Sequence, residues 1–393
     1  MKYFSLLAII IAFSCSPVDE PEIPQKEPEN QEVTLTLADP NATEITRALY
    51  SNLWRLQSEG FMFGHHDDLI YGREWYAEAG RSDTKEVCGD YPAVFSVDFA
   101  EIMDDRHETS DLNDHRRRTI LEARARGEVI TACAHLNNPL TGGDSWDNSN
   151  VTVVKEILTE GSETSIKYKV WLDRLADFVN NLKDENGELI PIIFRPYHEH
   201  TQGWSWWGSQ CTTQDEFIDF WRFTVDYLTQ DKSVHNLIFA ISPQLDGVAS
   251  PQRLLYRWPG DEYVDFIGMD SYHGTNTNAL AGNVKNLAAL SKEKLKPCGV
   301  TETGIEGVRD NNGQEYAKYW TQEILTPIIG KDISLVVMWR NKYDPQYGGY
   351  HYYGPWAGHA SAGDFVDFYE SSFTIFSQDL PDMYTMATGV TVN

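Results

Sequence analysis

The sequence predicts an α/β protein built as a (β/α)8 TIM barrel. Short apolar runs rich in Val, Ile and Phe recur along the chain, and helix-like stretches separate them. Buried strands that alternate with helices form parallel sheets, and eight such strands close this barrel. A third observation is that polar residues follow each apolar run directly.

The predicted strands are short and are spread over the whole length of the chain. In order they cover residues 61–64, 93–97, 129–134, 191–194, 237–241, 266–269, 297–300 and 334–338. The residues that follow them include His65, Asp98, His135, Glu199, Asp270, Glu302 and Arg340. The C-terminal ends of barrel strands meet at one mouth, so we expect these side chains to converge there.

Helix-like stretches lie between the strands. They include residues 111–125, 166–182, 213–228 and 314–325. In the second of these, Leu172, Leu175, Ala176 and Val179 recur at the spacing of one helical face. This alternation predicts helices that cover the outside of the barrel.

The N-terminus predicts export. Lys2 precedes an apolar stretch, residues 4–13, that is too short to span a bilayer as a permanent helix. Cys15 follows this stretch in a context that resembles the lipobox of bacterial lipoproteins, so residues 1–14 are predicted to be a lipoprotein signal peptide. The alternative is a plain secretory signal next to an unrelated cysteine. Residues 15–33 are rich in Pro and Glu and are predicted to form a tether, which leaves residues 34–393 as one domain.

Composition narrows the class of partner. The formal net charge is −27, which argues against nucleic acid and anionic membrane surfaces, because both need clustered Lys and Arg. A neutral polysaccharide is compatible with this charge and with an aromatic content of 12%. We expect a monomer that needs no cofactor and no metal.

The cysteines beyond Cys15 match no zinc-binding spacing. Cys133 and Cys298 lie in apolar strand-like runs and are predicted to be packed thiols. Whether Cys88 and Cys211 form a disulfide stays open at this point.

The stretch from Ile192 to Gly208 carries the chemistry. Glu199 follows a buried strand and precedes Trp204, Trp206 and Trp207. A carboxyl group among rings suits a general acid whose pKa is raised, and indole faces suit the apolar faces of sugars. The alternative is an incidental surface glutamate beside core tryptophans.

A second carboxylate, Glu302, follows the seventh predicted strand, and Gly304 permits a sharp turn just after it. Strands four and seven face each other across a barrel mouth. Two opposed carboxyl groups are what glycoside hydrolysis requires.

These motifs resemble glycoside hydrolase family 26, whose best-known members are β-1,4-mannanases. The resemblance covers nearly the whole chain after the tether, which makes residues 34–393 a glycoside hydrolase catalytic domain. It rests on Arg195-Pro196-x-His198-Glu199 with the tryptophans after it, on His135 to Pro139, on Asp270-Ser271-Tyr272, on Glu302 and on Trp339-Arg340-Asn341. The stretch from Gly64 to Gly72 is similar to the start of Bacteroides-type members.

The resemblance implies a role for each site residue. Glu199 is the acid/base and Glu302 the nucleophile of a retaining double displacement, so their carboxyl carbons are predicted to lie about 5–5.5 Å apart. Tyr272 orients the nucleophile and Arg340 contacts the next sugar away from the cut bond. The substrate-binding residues are His135, His198, Trp204, Asp270, Tyr272, Trp339 and Arg340. The residues His200-Thr201-Gln202 differ from the commonest family sequence at these positions, which affects the predicted subsite detail only.

Other interpretations of single features stay open at this stage. Residues 65–68 (His-His-Asp-Asp) could bind a metal, although neighbours on a strand point to opposite faces, so at most two would share a site. His135 and Trp339 could be packed core residues. The aromatic loop 351–356 either lines the substrate or covers the rim.

The leading prediction is an exported, lipid-anchored endo-β-1,4-mannanase at the outer membrane, on its periplasmic face or at the cell surface. One alternative keeps the fold and acts on β-1,3-xylan or mixed-linkage β-glucan. Another is a non-catalytic surface glycan-binding lipoprotein, and the presence of both glutamates argues against it. Endo action and release of mannobiose are both compatible with the sequence.

Overall fold

The computed structural model describes residues 32–344 and 349–393. Its centre is a closed barrel of parallel strands, named β1 to β8 here. They are Phe61–His66 (β1), Val94–Asp98 (β2), Val129–Cys133 (β3), Ile192–Arg195 (β4), Leu237–Ile241 (β5), Phe266–Ser271 (β6), Cys298–Thr303 (β7) and Leu335–Met338 (β8). Each strand pairs with the next along the chain, and β8 pairs with β1, where Leu335 is opposite Met62. The predicted (β/α)8 barrel is therefore confirmed.

Helices connect and surround these strands. The α-helices are Glu44–Leu56, Asp83–Cys88, Ala100–Met103, Asn113–Ala125, Val153–Leu158, Glu163–Asn180, Gln214–Asp226, Pro251–Leu254, Thr277–Lys294, Thr326–Ile328 and Ala362–Tyr369. Tyr227–Asp231 and Trp320–Leu325 are π-helical turns, and Asp261–Tyr263, Glu306–Val308 and Ser377–Asp379 are 3-10 turns. Thr213 and Glu216 form a reciprocal capping box at the start of Gln214–Asp226, which explains why that helix begins there.

One predicted helix is wrong in its first half. Residues 314–318 form a turn and an isolated bridge, in which Glu315 pairs with Arg309, and helical structure begins only near Trp320. The cause is a local turn: Asp310 Oδ1 accepts hydrogen bonds from the backbone of Asn312 and Gln314, and Gly313 adopts a φ of 75°.

The remaining strands are short. Val33–Leu35 and Val390–Val392 form a parallel pair. Two antiparallel hairpins join Tyr71–Gly72 to Trp75–Tyr76 and Asn341–Asp344 to Gly349–Tyr352. Thr374–Ile375 pairs in parallel with the start of β1. Leu35 and Val392 share an apolar cluster with residues at the starts of barrel strands, including Ile193 and Phe266. The Val33–Leu35 pair therefore packs at the end of the barrel opposite the mouth. It takes in Val33, the last residue of the predicted tether.

The predicted signal peptide (1–14), Cys15 and most of the tether (15–33) lie outside the described residues. Within residues 32–344 and 349–393, no helix has both the length and the apolar character to cross a bilayer.

Candidate active site

Glu199 lies just past β4, in a backbone conformation that few non-glycine residues adopt. Its φ is 54°, and its N–H donates to the carbonyl of Ser242 beyond β5 at 2.8 Å. The indole N–H of Trp204 donates to Glu199 Oε2 at 2.5 Å. These two bonds hold the carboxyl group of Glu199 at the barrel mouth.

Glu302 lies near the end of β7, where the register with β6 shifts between Val300 and Glu302. Tyr272 donates to Oε1 at 2.6 Å, the contact that the family resemblance implies, and Arg195 Nη2 donates to Oε2 at 2.5 Å. Both carboxylate oxygens are thus held by charged or hydroxyl donors. The side chain of Glu302 has one fixed orientation across the mouth from β4.

The two carboxyl groups have opposite electrostatic environments. Burial, together with the negative charge of Glu302, raises the pKa of Glu199 well above its ordinary value. Burial also acts to raise the pKa of Glu302, but Arg195, His135 and the hydrogen bond from Tyr272 together outweigh it, and the pKa is lowered. The two shifts favour the protonated acid at Glu199 and the carboxylate at Glu302, which is the division of roles that glycoside hydrolysis needs.

Arg195 bridges two buried carboxylates, a role that the motif alone does not reveal. Its Nη1 donates to Asp270 Oδ2 at 2.6 Å, and Asp270 Oδ1 accepts from Thr301 at 2.8 Å. Asp270 is completely buried. The prediction that Asp270 binds substrate needs correction, because both of its oxygens are used to hold Arg195 and Thr301 beneath the mouth.

A histidine pair forms a second wall of the mouth. His135 and His198 meet through their Nε2 atoms at 3.1 Å, and His135 Nδ1 bonds to Asp98 Oδ2 at 2.8 Å. Burial and the charge of Arg195 lower the pKa of His198 well below its ordinary value, so its ring is neutral. His135 is partly exposed, so it is not the packed core histidine of the alternative interpretation.

Of the three tryptophans after Glu199, only Trp204 reaches the surface of the mouth. Trp206 and Trp207 are fully buried, and their indole N–H groups donate to the carbonyls of Leu136 and His198 at 2.9 and 2.8 Å. The idea that all three offer faces to sugar is therefore wrong for these two. Trp146, which the sequence did not single out, is 64% exposed, and its ring centroid lies 4.7 Å from that of Trp204.

Trp339 and Arg340 follow β8. The ring of Trp339 stacks on His66 with centroids 4.3 Å apart, and its N–H donates to His351 at 3.1 Å. Arg340 is partly exposed, its guanidinium lies 5.0 Å from the Trp339 ring centroid, and Nη1 donates to Tyr71 Oη at 3.1 Å. The Trp339 ring is buried, with its centroid 5.4 Å from that of His135, so contact of Trp339 and Arg340 with sugar stays a prediction.

Residues 65–68 divide between two environments. His65 Nδ1 bonds to Asp68 at 2.8 Å in a fully buried pair, whereas His66 Nδ1 bonds to Ser96 Oγ at 2.7 Å. Asp67 accepts a hydrogen bond from Tyr71. The four side chains are thus held by separate partners and do not form one joint metal site.

The aromatic loop 351–356 has one residue beside the site and one in the core. Tyr353 lies at 6.0 Å, edge to face, from Tyr272, and a Cβ at Gly304 would meet the Tyr353 ring at 2.8 Å. Trp356, by contrast, is buried in the core. The loop therefore lies beside Tyr272 through Tyr353 and is anchored in the core through Trp356, while a cover over the rim stays a prediction.

Among the described residues, the four cysteines are free thiols, so Cys88 and Cys211 do not pair. Cys133 and Cys298 are buried, as predicted for packed strand thiols.

Comparison with known proteins agrees with this architecture. The family described as Glycosyl hydrolase family 26 matches residues 38–322, and the chain belongs to that family. A GH26 β-mannanase of Bacteroides ovatus, BoMan26A, is 38% identical, with a TM-score of 0.80 over 88% of this chain and 98% of that one. GH26C of a Muricauda species is 32% identical, with a TM-score of 0.81 over 89% and 96% of the two chains.

Curated relatives are longer. The mannan endo-1,4-β-mannosidase of Bifidobacterium adolescentis is 29% identical over 367 residues, which is 86% of this chain and 35% of the relative. Mannan endo-1,4-β-mannosidase A and B of Caldalkalibacillus mannanilyticus is 26% identical over 74% of this chain and 56% of its own length. The chain thus spans about a third to a half of these two relatives.

Proposed function

We propose that this protein is a retaining endo-β-1,4-mannanase that hydrolyses mannan, galactomannan or glucomannan. The observation that carries the proposal is the pair Glu199 and Glu302, one with a raised and one with a lowered pKa at the same barrel mouth. Retention requires carboxyl carbons about 5–5.5 Å apart. The influence of Glu302 on the pKa of Glu199 supports their proximity.

In the first step, the Glu302 carboxylate attacks the anomeric carbon while Glu199 gives its proton to the departing glycosidic oxygen. The bond to the leaving sugar breaks as the ester bond to Glu302 forms. This ester has no negative charge, so one cause of the raised pKa of Glu199 disappears. Glu199 can then take a proton from water, which attacks the anomeric carbon and releases Glu302 as a carboxylate.

Neighbouring groups support these roles. Tyr272 and Arg195 hold the Glu302 oxygens, which limits the rotation of the nucleophile before attack. His135, His198 and Trp204 lie around Glu199 and offer ring faces and ring nitrogens to the sugar whose bond is cut. Trp339 and Arg340 offer a ring and a guanidinium to the next sugar.

The substrate class rests on the relatives. The Bacteroides ovatus protein is described as a β-mannanase, and the Bifidobacterium and Caldalkalibacillus proteins as mannan endo-1,4-β-mannosidases. These names favour mannan over β-1,3-xylan and mixed-linkage β-glucan. The two glutamates with separate proton states argue against a purely glycan-binding protein.

The test is the product profile of the purified mature protein on mannan, xylan and lichenan, with NMR of the first-formed anomer. We expect hydrolysis of mannan, early products of several lengths and the β-anomer first. Formation of the α-anomer first would show an inverting mechanism. If mannobiose is the sole early product, the enzyme is processive or acts at chain ends and is not an endo-enzyme. Activity confined to xylan or lichenan would reassign the substrate.

We propose, separately, that Cys15 is lipidated and anchors the protein at the outer membrane through the tether. The support is the lipobox-like sequence before Cys15 and the Pro- and Glu-rich composition after it. We propose that the anchored protein acts as a monomer.

A further inference from the structure

Three side chains from adjacent strands meet inside the barrel beneath the mouth. His66 on β1 is opposite Ser96 on β2, and Asp98, two residues further on β2, is opposite Cys133 on β3. Residues two apart on a strand share a face, so His66, Asp98 and Cys133 point to the same side of the sheet. One ligand atom from each lies within 4.8 Å of the others.

One nitrogen of the His66 ring, Nε2, has no hydrogen-bond partner and can bind a metal ion. Its Nδ1 bonds to Ser96 Oγ at 2.7 Å, while Nε2 is buried and makes no hydrogen bond. Asp67 Oδ2 is 3.4 Å from Nε2, outside hydrogen-bonding geometry. Metal-binding histidines typically use one ring nitrogen for the metal while a second polar group orients the other, which is the role Ser96 can take here.

We propose that His66, Asp98 and Cys133 form a binding site for a thiophilic divalent cation of the Zn²⁺ class. Imidazole, carboxylate and thiolate are the three ligand types that Zn²⁺ accepts, at bond lengths of about 2.0–2.3 Å. A tetrahedral ion with these bonds holds its ligands about 3.3–3.8 Å apart, so small side-chain rotations close the observed spacing. Cys133 releases its thiol proton to solvent on binding, and a water molecule takes the fourth position.

The charges near His66, Asp98 and Cys133, and the exposure of Asp98, are compatible with a bound cation. Arg195 is opposite Cys133 on β4, but its positive charge is paired with Asp270 and Glu302 at 2.6 and 2.5 Å. The side chain of Asp98 is 14% exposed, so it is the ligand through which solvent touches the site, while His66 and Cys133 are buried.

Occupancy has a consequence that rests on the proposed function. Asp98 Oδ2 now holds His135 Nδ1 at 2.8 Å. An ion on Asp98 competes for that oxygen and moves His135, which lies beside Trp204 in the mouth. The bound ion therefore inhibits hydrolysis, and a chelator restores it.

The first test uses binding alone, so it stands apart from any outcome for the substrate. The purified mature protein is titrated with Zn²⁺ by calorimetry and with Co²⁺ by absorbance, where a thiolate ligand gives a charge-transfer band. We compare the unmodified protein with Cys133→Ala and with Cys298→Ala. Cys298 is the matched control, because it is also a buried thiol in a barrel strand and it contacts Gln57 and the Asp332 carbonyl instead.

We expect one equivalent of Zn²⁺ and a Co²⁺ charge-transfer band for the unmodified protein and for Cys298→Ala. Cys133→Ala should lose the band and bind Zn²⁺ at least tenfold more weakly. Ser96→Ala keeps all three ligands but frees the His66 ring, so about tenfold weaker binding is expected. Saturable binding that is unchanged in Cys133→Ala, loss of binding in Cys298→Ala, or no saturable binding at all would each overturn the site.

The second test measures inhibition of hydrolysis by Zn²⁺ in the same variants. Cys133→Ala should retain hydrolysis and require at least tenfold more Zn²⁺ for half inhibition than the unmodified protein. Equal sensitivity of the two would place the inhibitory ion elsewhere and overturn the link to His135. If the chain hydrolyses none of the glycans, the proposed function fails while the binding result still decides the metal site.

Discussion

Arg195 donates to Glu302 at 2.5 Å from one guanidinium nitrogen and to Asp270 at 2.6 Å from the other. One cation therefore pairs with two buried carboxyl groups, and burial outweighs its effect at Asp270, where the pKa is raised. This pairing helps to lower the pKa of Glu302 in a site where Glu199, which has no ion-pair partner, has a raised pKa. Arg195 is the largest of the groups that lower the pKa of Glu302, whereas burial and the charge of Glu302 raise the pKa of Glu199.

Replacement of Arg195 by Met should leave Asp270 and Glu302 buried without a counter-charge. We expect a loss of about 3–5 kcal/mol in the free energy of unfolding, as is usual when one partner of a buried ion pair is removed. The pKa of Glu302 should rise, so the acid limb of the kcat/KM profile should move to higher pH. Urea unfolding and a pH–rate profile measure the two effects.

Arg257→Met is the matched control for that experiment. Arg257 is also a buried arginine, but it donates to the hydroxyl and carbonyl of Thr212, with no contact to either glutamate. The Arg257→Met substitution should lower the free energy of unfolding and leave the acid limb of the pH–rate profile unchanged. An unshifted acid limb in Arg195→Met would show that Arg195 does not set the pKa of Glu302.

The pH dependence of hydrolysis should be bell-shaped. Activity needs Glu302 ionised and Glu199 protonated, so it falls at low pH as Glu302 gains a proton and at high pH as Glu199 loses one. The lowered pKa of Glu302 and the raised pKa of Glu199 place both limbs outside the range of a free glutamate.

Trp204→Phe should move the basic limb in a defined direction. The indole N–H donates to the Glu199 carboxyl, which favours the ionised form and lowers the pKa of Glu199 relative to a site without this bond. Loss of the bond should therefore shift the basic limb to higher pH. Trp258→Phe, whose indole bonds to Asp261 instead, is the control and should leave the limb in place. A shift to lower pH in Trp204→Phe would contradict the assigned bond.

The roles of the two glutamates can be separated with azide. In Glu199→Ala, an aryl mannoside with a good leaving group should still form the glycosyl-enzyme, because little protonation is needed, while hydrolysis of that intermediate slows. Azide should then rescue turnover and yield β-mannosyl azide. Glu302→Ala should lose nearly all activity on every substrate, and any rescue should yield the α product. Reversed stereochemistry would mean that the two roles are exchanged.

Cys15→Ala tests the proposed anchor in the full-length protein. We expect loss of fatty-acid labelling and release from the membrane fraction, because the lipid chains supply the membrane affinity. Hydrolysis by the released protein should be unchanged, since the described domain begins beyond this residue. Membrane association that persists without Cys15 would rule out the lipobox interpretation.

The sequence alone determined the barrel and most of the residues at its mouth. Each of the eight strands is a local apolar run, and the fold brings the residue after each run to one end. Glu199, Glu302, His135 and Arg340 could be found in this way. The failure at residues 314–318 has a local cause too, because the turn around Asp310 competes with helix formation.

Only the tertiary structure decided the proton states and the true surface of the site. Arg195 and Glu302 are 107 residues apart, so no local pattern relates them, yet their contact helps to lower the pKa of the nucleophile. The same holds for the tryptophans after Glu199. Trp204 is close in sequence to Trp206 and Trp207, but it is partly exposed while the other two are fully buried. Such pairings depend on distances between strands, and a sequence pattern carries information only about neighbours along one strand or helix.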